Sequence, residues 1–446
     1  MAIKVGMVSL GCPKNQVDAE QILYKLREDG FEIKADTALA DVVLINTCGF
    51  IESAKQESID TILEFCTLKN EGRIKSVIIT GCLAERYKEE ILKEIPEASA
   101  VVGIGCNADI TEVIKSTLEG QHIEKYGEKC NLDIDAKRIV STQPFYAYLK
   151  IAEGCDNCCT YCAIPSIRGR FRSRTKESII DEAKWLAKNG VKEIILVAQD
   201  TTRYGEDLYG KPELPSLLKE LAQIDGIKWI RTLYCYPERI TDELIDVIAS
   251  EEKIVKYLDI PIQHCNAEIL KRMNRKGDEE SLRALMKKLR ERIDGMIIRT
   301  TLITGFPGET NEQFEQLCNF VSEMKFDRLG CFAYSAEEGT PAATFPDQVE
   351  LKVREHRADI IMDEQMRISD ENNEKLIGKT IEVVVEGFDR YAECFFGRSY
   401  AEAPEIDGKI FFTSDKKLTI GDFVKVIIDN IMDYDLIGAV TDEFTK

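Results

Sequence analysis

The chain is poor in several residue types and segments on which common protein classes depend. It has only three histidines in 446 residues, too few to favour histidine-based acid–base chemistry or a histidine-rich zinc site. No apolar run reaches the length of about 18 residues that a membrane-spanning helix needs. The first fifteen residues also lack the basic-then-apolar order of a signal peptide. These absences predict a soluble, cytoplasmic protein with no membrane partner.

Positive charge is scarce as well. The sequence has 59 Lys and Arg residues against 79 Asp and Glu residues, a formal net charge of −20. Proteins that coat nucleic acid neutralise its phosphates with a basic surface, so this balance argues against that class. A basic protein is a better-matched partner, although an acidic surface also simply keeps a protein in solution.

Cysteine is abundant by contrast, with fifteen residues in the chain. In a reducing compartment this number indicates metal or redox chemistry rather than disulfides. Cys155, Cys159 and Cys162, hereafter the loop triplet, have the spacing Cys-x-x-x-Cys-x-x-Cys. The spacing matches neither one face of a helix nor one face of a strand, so we predict a loop. Such a loop suits an iron–sulfur cluster, and three ligands on a four-iron cubane leave one iron open for chemistry.

The same stretch allows two other interpretations. Structural zinc normally uses four ligands in paired spacings, and neither a second pair nor a nearby histidine follows here. A different triplet, Cys155, Cys158 and Cys162, has the two spacings in reverse order. The residues alone therefore leave the choice between Cys158 and Cys159 open.

The stretch from Gly154 to Cys162 resembles the signature of the radical S-adenosylmethionine (SAM) enzymes. In that family three cysteines hold a [4Fe-4S] cluster whose fourth iron chelates the amino and carboxylate groups of SAM. The resemblance implies that Cys159, rather than Cys158, is the middle ligand. It also implies that Tyr161 stacks against the adenine of SAM.

Two further features are candidates for the SAM pocket. Gly305 and Gly308 belong to a Gly-Phe-Pro-Gly-Glu-Thr stretch that follows a predicted strand and resembles a stretch of the same family. Glycine lets the backbone approach a ligand closely, so both residues are expected to line the pocket. Arg168 begins a run of four alternating arginines just after the loop triplet. We expect it to hold the SAM carboxylate or an acidic substrate group, while a solvated edge strand is the other interpretation of the run.

A second set of three cysteines follows three predicted strands. Cys12, Cys48 and Cys82, hereafter the N-terminal triplet, each stand at the end of an apolar run, 36 and 34 residues apart. That separation is close to the length of one strand–helix–strand unit. Because the carboxyl ends of parallel strands meet at one edge of a sheet, the three thiols should converge there. A single buried cysteine is often only a small apolar residue, but three at equivalent positions favour a metal site.

This part of the chain resembles the N-terminal domain of the methylthiotransferases. The resemblance rests on Ser-Leu-Gly-Cys-Pro-Lys-Asn around Cys12, Asn-Thr-Cys at Cys48 and Thr-Gly-Cys at Cys82. In that family such a triplet binds a second [4Fe-4S] cluster. The resemblance therefore implies two clusters in this chain.

The sequence predicts an α/β protein of three domains. Residues 1–135 form a flavodoxin-like open parallel sheet. Residues 141–375 contain six strand–helix units, which predict an incomplete (β/α)6 TIM-like barrel and agree with a radical SAM domain. Residues 376–446 have the short strands of a small antiparallel β-barrel and resemble the TRAM module. This last domain has 8 Lys and Arg against 14 Asp and Glu, the wrong sign for a direct grip on nucleic acid.

The resemblance covers nearly the whole chain and implies a radical enzyme that replaces a C–H bond with C–S–CH3. It implies that one cluster, supplied by a donor such as flavodoxin or ferredoxin, reduces SAM to methionine and a 5′-deoxyadenosyl radical. The second cluster would present the sulfur, and a second SAM would supply the methyl group. The competing class is a non-catalytic iron–sulfur electron carrier, but carriers ligate every iron of a cluster.

The substrate choice rests on finer features. The family has branches that modify an adenosine of transfer RNA and a branch that modifies an aspartate of ribosomal protein uS12. Pro13-Lys14-Asn15 after Cys12, and the stretch from Ala163 to Gly169 after Cys162, resemble the second branch. An acidic terminal domain also attracts a basic ribosomal protein and repels RNA. We therefore expect uS12 as the substrate, with transfer RNA as the alternative.

Overall fold

The first sheet is built from the apolar, β-branched runs of the N-terminal part of the chain. The computed structural model describes residues 2–444, and its first six strands are Lys4–Ser9 (β1), Glu32–Lys34 (β2), Val42–Thr47 (β3), Ser76–Gly81 (β4), Ala100–Val102 (β5) and Ile123–Lys125 (β6). The helices among them are Pro13–Glu28 (α1), Glu52–Asn70 (α2), Cys82–Tyr87 (α3), Glu89–Glu94 (α4) and Ile110–Leu118 (α5). All neighbouring strands are parallel, in the order β2-β1-β3-β4-β5-β6. This order contains the 2-1-3-4-5 arrangement of flavodoxin-like sheets, so that prediction is confirmed.

The second unit is an open parallel sheet with helices between its strands. Its strands are Tyr146–Lys150 (β7), Ala152–Glu153 (β8), Arg172–Ser173 (β9), Glu193–Val197 (β10), Trp229–Thr232 (β11), Ile254–Asp259 (β12), Ile297–Thr304 (β13) and Arg328–Ala333 (β14). Its helices are Ile164–Arg168 (α6), Lys176–Lys188 (α7), Glu206–Tyr209 (α8), Leu214–Ala222 (α9), Asp242–Ser250 (α10), Ala267–Arg272 (α11), Glu279–Arg292 (α12), Asn311–Met324 (α13) and Leu351–Glu374 (α14). Six strands pair in the order β7-β10-β11-β12-β13-β14, and β8 and β9 form a separate ribbon. The predicted incomplete barrel is confirmed. No helix between residues 2 and 444 is long and apolar enough to cross a membrane.

The third unit is a closed five-stranded barrel, hereafter the terminal barrel. It consists of Thr380–Asp389 (β15), Cys394–Arg398 (β16), Ile410–Thr413 (β17), Phe423–Met432 (β18) and Asp435–Phe444 (β19). The order around the barrel is β15-β16-β17-β19-β18, and β17 and β19 are parallel. The prediction of a purely antiparallel barrel is wrong in this one pair. A closed ring with an odd number of strands cannot alternate direction throughout, so at least one neighbouring pair has to run parallel.

The terminal barrel covers the amino ends of the strands in the second unit. Trp229 begins β11, and its ring meets Phe423 of β18 edge-on, with 4.8 Å between centroids. Glu193 begins β10 and is fully buried, where it accepts hydrogen bonds from Arg231 Nε at 2.9 Å and Arg398 Nη2 at 2.5 Å. A buried carboxylate between two guanidinium groups is stable only while both partners stay in place. The terminal barrel therefore closes the lower end of the incomplete barrel.

The N-terminal domain covers the opposite, carboxyl end of the same strands. Lys150 at the end of β7 is buried and pairs with Asp18 of α1 and, at 2.9 Å, with Glu153. A second contact joins Arg86 of α3 to Glu337, which follows β14, at 2.8 Å. Because ligands bind at the carboxyl ends of parallel strands, this interface is the expected place for a functional site.

Candidate functional site

The N-terminal triplet lies at the carboxyl edge of the first sheet. Cys12 caps α1 directly after β1, Cys48 follows β3, and Cys82 begins α3 directly after β4. Since β1, β3 and β4 are neighbours in the sheet, the three thiols stand side by side. Burial, together with the thiols of Cys12 and Cys48, raises the pKa of Cys82 to about 12, and Arg168 opposes this shift. Thiols of this kind become thiolates when a metal binds them.

Two asparagines hold the loops that carry these cysteines. The side-chain amide of Asn15 donates hydrogen bonds to Leu10 O at 2.7 Å and Thr47 O at 3.2 Å. The amide of Asn46 donates to the backbone oxygen of Asn15 at 2.7 Å. Gly11 has a φ of +89°, and a Cβ there would collide with the Cys48 side chain. The residues that flank the cysteines in the sequence therefore fix the distance between the two loops.

The loop triplet lies between β8 and α6. Cys155 and Cys159 are buried, with 7% and 4% of their surface exposed, whereas Cys158 is exposed and has a φ of +50°. Burial and the neighbouring Cys159 thiol raise the pKa of Cys155 and of Cys162. Cys159 Sγ lies 3.6 Å from Tyr236 Oη. Exposure thus separates the two adjacent cysteines and favours Cys159 as the inward-facing one.

The donor sets of both triplets fit a cluster better than a single ion. Among the residues between 2 and 444, no three Cys, His, Asp or Glu side chains converge closely enough to hold one metal ion. Cysteines of a cubane bind separate iron atoms, so their sulfur atoms stand further apart than the ligands of one zinc ion. Three thiols at each site suit a [4Fe-4S] cluster with one open iron.

The predicted SAM-pocket residues have different surroundings. Tyr161 packs against an apolar cluster that includes Phe306. A Cβ on Gly305 would collide with Arg354 of α14, and a Cβ on Gly308 would collide with Arg272. Both glycines have positive φ, +67° and +82°, a region that favours glycine. The structure gives the glycines a packing role, and their contact with SAM stays a prediction.

Arg168 lies against the N-terminal triplet. Its guanidinium is buried and donates hydrogen bonds to Asn15 Oδ1 at 3.0 Å and to Cys82 Sγ at 3.2 Å. It also pairs with Asp18, and with Glu153 at 3.4 Å. These partners occupy both Nη groups of Arg168, so its predicted contact with the SAM carboxylate or a substrate stays a prediction.

Two residues beside the loop triplet were not found from the sequence. Tyr236 approaches Cys159, and the Arg275 guanidinium lies 4.1 Å from the Tyr236 ring centroid. Arg275 is buried, and its Nε and Nη1 atoms have no hydrogen-bond partner in the described part of the chain. Tyr236 follows β11. The argument that predicted the N-terminal triplet, that residues at the carboxyl ends of parallel strands converge, would therefore have found it. Arg275 has no comparable signal in the sequence.

One cysteine of the N-terminal triplet contacts the segment that follows the loop triplet, across the interface between the domains. Cys82 packs directly against Ala163 and Ile167, which follow Cys162 in the chain. This contact joins the loop that carries one triplet to the helix that carries part of the other.

Three family models match successive parts of the chain. They are the uncharacterized protein family UPF0004 over residues 4–103, the radical SAM superfamily over residues 149–321 and the TRAM domain over residues 377–441. Among solved structures, the chain is similar to the radical SAM methyltransferase TsrM from Kitasatospora setae. One TsrM structure, with tryptophan and a SAM analogue, has a TM-score of 0.57 and 14% identity and covers 74% of this chain and 73% of TsrM. Another, with cobalamin and a [4Fe-4S] cluster, has a TM-score of 0.58 and 15% identity, with 77% of each chain covered. These similarities confirm the fold.

Curated relatives match the chain from end to end. The ribosomal protein uS12 methylthiotransferase RimO of Acetivibrio thermocellus is 50% identical, with 100% of both chains covered. RimO of Clostridium tetani is 50% identical over 100% of this chain and 99% of its own. RimO of Desulforamulus reducens is 51% identical over 98% of this chain and 99% of its own. The chain therefore belongs to the RimO family of ribosomal protein uS12 methylthiotransferases, within the radical SAM superfamily.

Proposed function

We propose that this protein adds a methylthio group to the β-carbon of an aspartate in ribosomal protein uS12. The observation that carries the proposal is the contact of Cys82 with Ala163 and Ile167. The contact links the two cysteine triplets, of which the N-terminal one would handle sulfur and the loop one would cleave SAM, in a chain that is 50% identical to RimO over its whole length. The transfer-RNA alternative gains no support from the comparisons.

The cysteines are proposed to hold two [4Fe-4S] clusters. The N-terminal triplet would ligate one cluster, and the loop triplet would ligate the other and leave an iron for SAM. When bound, the clusters and SAM supply the radical and sulfur chemistry that side chains cannot, because hydrogen on an unactivated carbon is not acidic. An electron donor such as flavodoxin or ferredoxin is the proposed source of electrons.

The contribution of the chain itself is to place the two sites. Lys150 and Arg168 share Asp18 and Glu153, so residues of α1, β7, β8 and α6 form one buried ionic network. A buried network of this kind resists sliding of one domain over the other, which keeps the reacting groups at a fixed separation. Arg168 also donates to Cys82 Sγ, and this hydrogen bond favours the thiolate form of a ligand.

Arg275 is the better candidate for an anionic group of SAM. Two of its guanidinium nitrogens are buried without a partner among the described residues, and it stands beside Tyr236 and Cys159. A buried guanidinium binds a carboxylate strongly because its donors are otherwise unsatisfied. We propose this role for Arg275, since both Nη groups of Arg168 already have partners.

The surroundings of the reaction follow from charge and redox state. We place the reaction in a reducing cytoplasm, where the fifteen cysteines stay available as ligands rather than forming disulfides. The terminal barrel is acidic, and opposite charge would speed its encounter with a basic ribosomal protein.

The test is the intact mass of uS12 after anaerobic incubation with reduced, cluster-loaded enzyme and SAM. We expect one SCH3 in place of one hydrogen on an aspartate β-carbon, and no modification by a Cys159→Ala control. Unmodified uS12 together with a methylthiolated adenosine in transfer RNA would overturn the proposal.

A further inference from the structure

Lys14 is a buried cation whose ammonium has no anionic partner among the residues that the structure describes. It lies in the first turn of α1, two residues after Cys12, and only 7% of its surface is exposed. Its Nζ atom lies 3.5 Å from the centroid of the Tyr234 ring, a cation–π contact. No residue between 2 and 444 accepts a hydrogen bond from this ammonium or forms an ion pair with it. A buried ammonium normally requires an anion, because removing its charge from water costs free energy.

The neighbouring charges do not supply that anion. Lys150 and Arg168 use both nearby carboxylates, Asp18 and Glu153. Two cations and two carboxylates balance each other, so the positive charge of Lys14 is left over. The interface is therefore prepared for one additional negative group beside Lys14.

The ring under Lys14 is held in an unusual backbone conformation. Tyr234 has a φ of +61°, a region that non-glycine residues rarely adopt. Its backbone amide donates to Asp259 Oδ2 at 3.1 Å, and its carbonyl accepts from Thr201 N at 3.1 Å. Such strain persists where the surrounding structure enforces it, and it clusters at binding sites.

The same segment reaches the loop triplet. Tyr236, two residues beyond Tyr234, places its hydroxyl 3.6 Å from Cys159 Sγ. Lys14 itself follows Cys12 of the N-terminal triplet. One short segment after β11 thus contacts both the lysine that follows Cys12 and a cysteine of the loop triplet.

We propose that Lys14 binds the carboxylate of the substrate aspartate and thereby selects aspartate over asparagine. This inference rests on the proposed function. The β-carbon of aspartate is bonded directly to its carboxylate, so a cation that holds the carboxylate also places the reacting carbon. Asparagine has nearly the same shape but lacks the charge that a charge-assisted hydrogen bond needs.

The competing explanation is that Lys14 only balances the negative charge of a cluster on the N-terminal triplet. The two explanations differ in what the positive charge recognises. A substrate-binding cation changes the preference between peptides, whereas a cluster-balancing cation changes iron content and leaves peptide preference alone.

The experiment compares two peptides that differ only at the target position. A uS12 peptide with aspartate and its asparagine counterpart are titrated, by fluorescence anisotropy, into anaerobic cluster-loaded enzyme with SAM. We expect the wild-type protein to bind the aspartate peptide about tenfold more tightly. Lys14→Met keeps the length of the side chain without its charge and should bind both peptides equally. Lys25→Met removes a half-exposed lysine from the same helix and should discriminate like the wild type.

Several results would overturn the inference. Equal binding of both peptides by the wild type would overturn the inference without any variant. The test therefore does not depend on whether Lys14→Met folds. The inference would also be overturned if Lys14→Met preferred the aspartate peptide as strongly as the wild type does, whether or not it had lost iron. The proposed function is judged separately by mass spectrometry on the same samples: selective binding without methylthiolation refutes the reaction but not the carboxylate site.

Discussion

Cys158 and Cys159 are adjacent in the chain, and replacing each gives the sharpest test of the loop triplet. Cys158 is exposed, with a φ of +50°, while Cys159 is 4% exposed and lies 3.6 Å from Tyr236 Oη. Cys159→Ala should remove one of two cubanes, so iron falls from about eight to about four atoms per chain. SAM cleavage should be lost with it, because the open iron disappears.

Cys158→Gly should keep both the iron and the SAM cleavage that Cys159→Ala loses. The left-handed backbone costs a non-glycine residue about 1–2 kcal/mol, and the greater freedom of glycine in the unfolded chain returns roughly 0.5–1 kcal/mol of that. The free energy of unfolding of the iron-free protein should therefore stay equal or rise by about 1 kcal/mol. Iron should remain at about eight atoms per chain.

Iron analysis after anaerobic reconstitution and chromatography of 5′-deoxyadenosine measure the functional part of this prediction. Urea unfolding measures the stability part of the prediction. It is carried out on the iron-free proteins, because a protein with tightly bound metal does not unfold in a two-state transition. If Cys158→Gly lost half of the iron and Cys159→Ala kept all of it, the reversed triplet would be the ligand set.

Replacing the whole N-terminal triplet with alanine should leave about four irons per chain and preserve SAM cleavage, whereas the same change in the loop triplet should abolish cleavage. Iron analysis and a 5′-deoxyadenosine assay measure these results. SAM cleavage by the variant without the loop triplet would contradict the assignment. Glu193→Ala leaves Arg231 and Arg398 buried without their carboxylate, so the free energy of unfolding should fall by about 3–5 kcal/mol. A loss in urea unfolding below about 1 kcal/mol, the size expected for an exposed pair, would refute that network. Burial opposes ionisation of Glu153. Lys150 and Arg168 outweigh this effect and hold the pKa of Glu153 at about 2, below the usual 4.5. The stability contributed by this carboxylate is present above about pH 4.5 and is lost as pH falls towards 2. Wild-type stability should therefore fall more steeply than that of Glu153→Gln over this range, and equal slopes in acid unfolding would contradict the ion pairing.

Much of the architecture was predictable from the sequence because apolar runs indicate the strands, and the residues after each run lie at its carboxyl end. Long apolar runs identified all six strands of the incomplete barrel, and the residues that follow such runs included both cysteine triplets. Strands β2 and β6 have only three residues each, too few to show a period in the sequence. In the terminal barrel, β16 and β19 were missed, and β19 provides the parallel partner of β17.

Side-chain partners were predicted less well because they come from distant parts of the chain. Arg168 follows the loop triplet in sequence, yet Asp18 and Asn15, about 150 residues earlier, hold its guanidinium. The space around Gly305 is filled by Arg354, from a helix that begins at Leu351. A local pattern can show that a residue is polar and near a strand end, but the partner depends on how separate domains pack.

The terminal barrel has two sides that experience different constraints. Its inner side covers Trp229 and Glu193 at the base of the incomplete barrel, while Tyr391 on the β15–β16 turn is fully exposed. Deleting this domain would uncover the Trp229 ring and remove one of the two guanidinium partners of Glu193, so a truncated protein would lose activity whether or not the domain meets the substrate. A substitution on its inner surface would therefore require a matching change in the incomplete barrel beneath it, whereas a substitution on its outer surface would not.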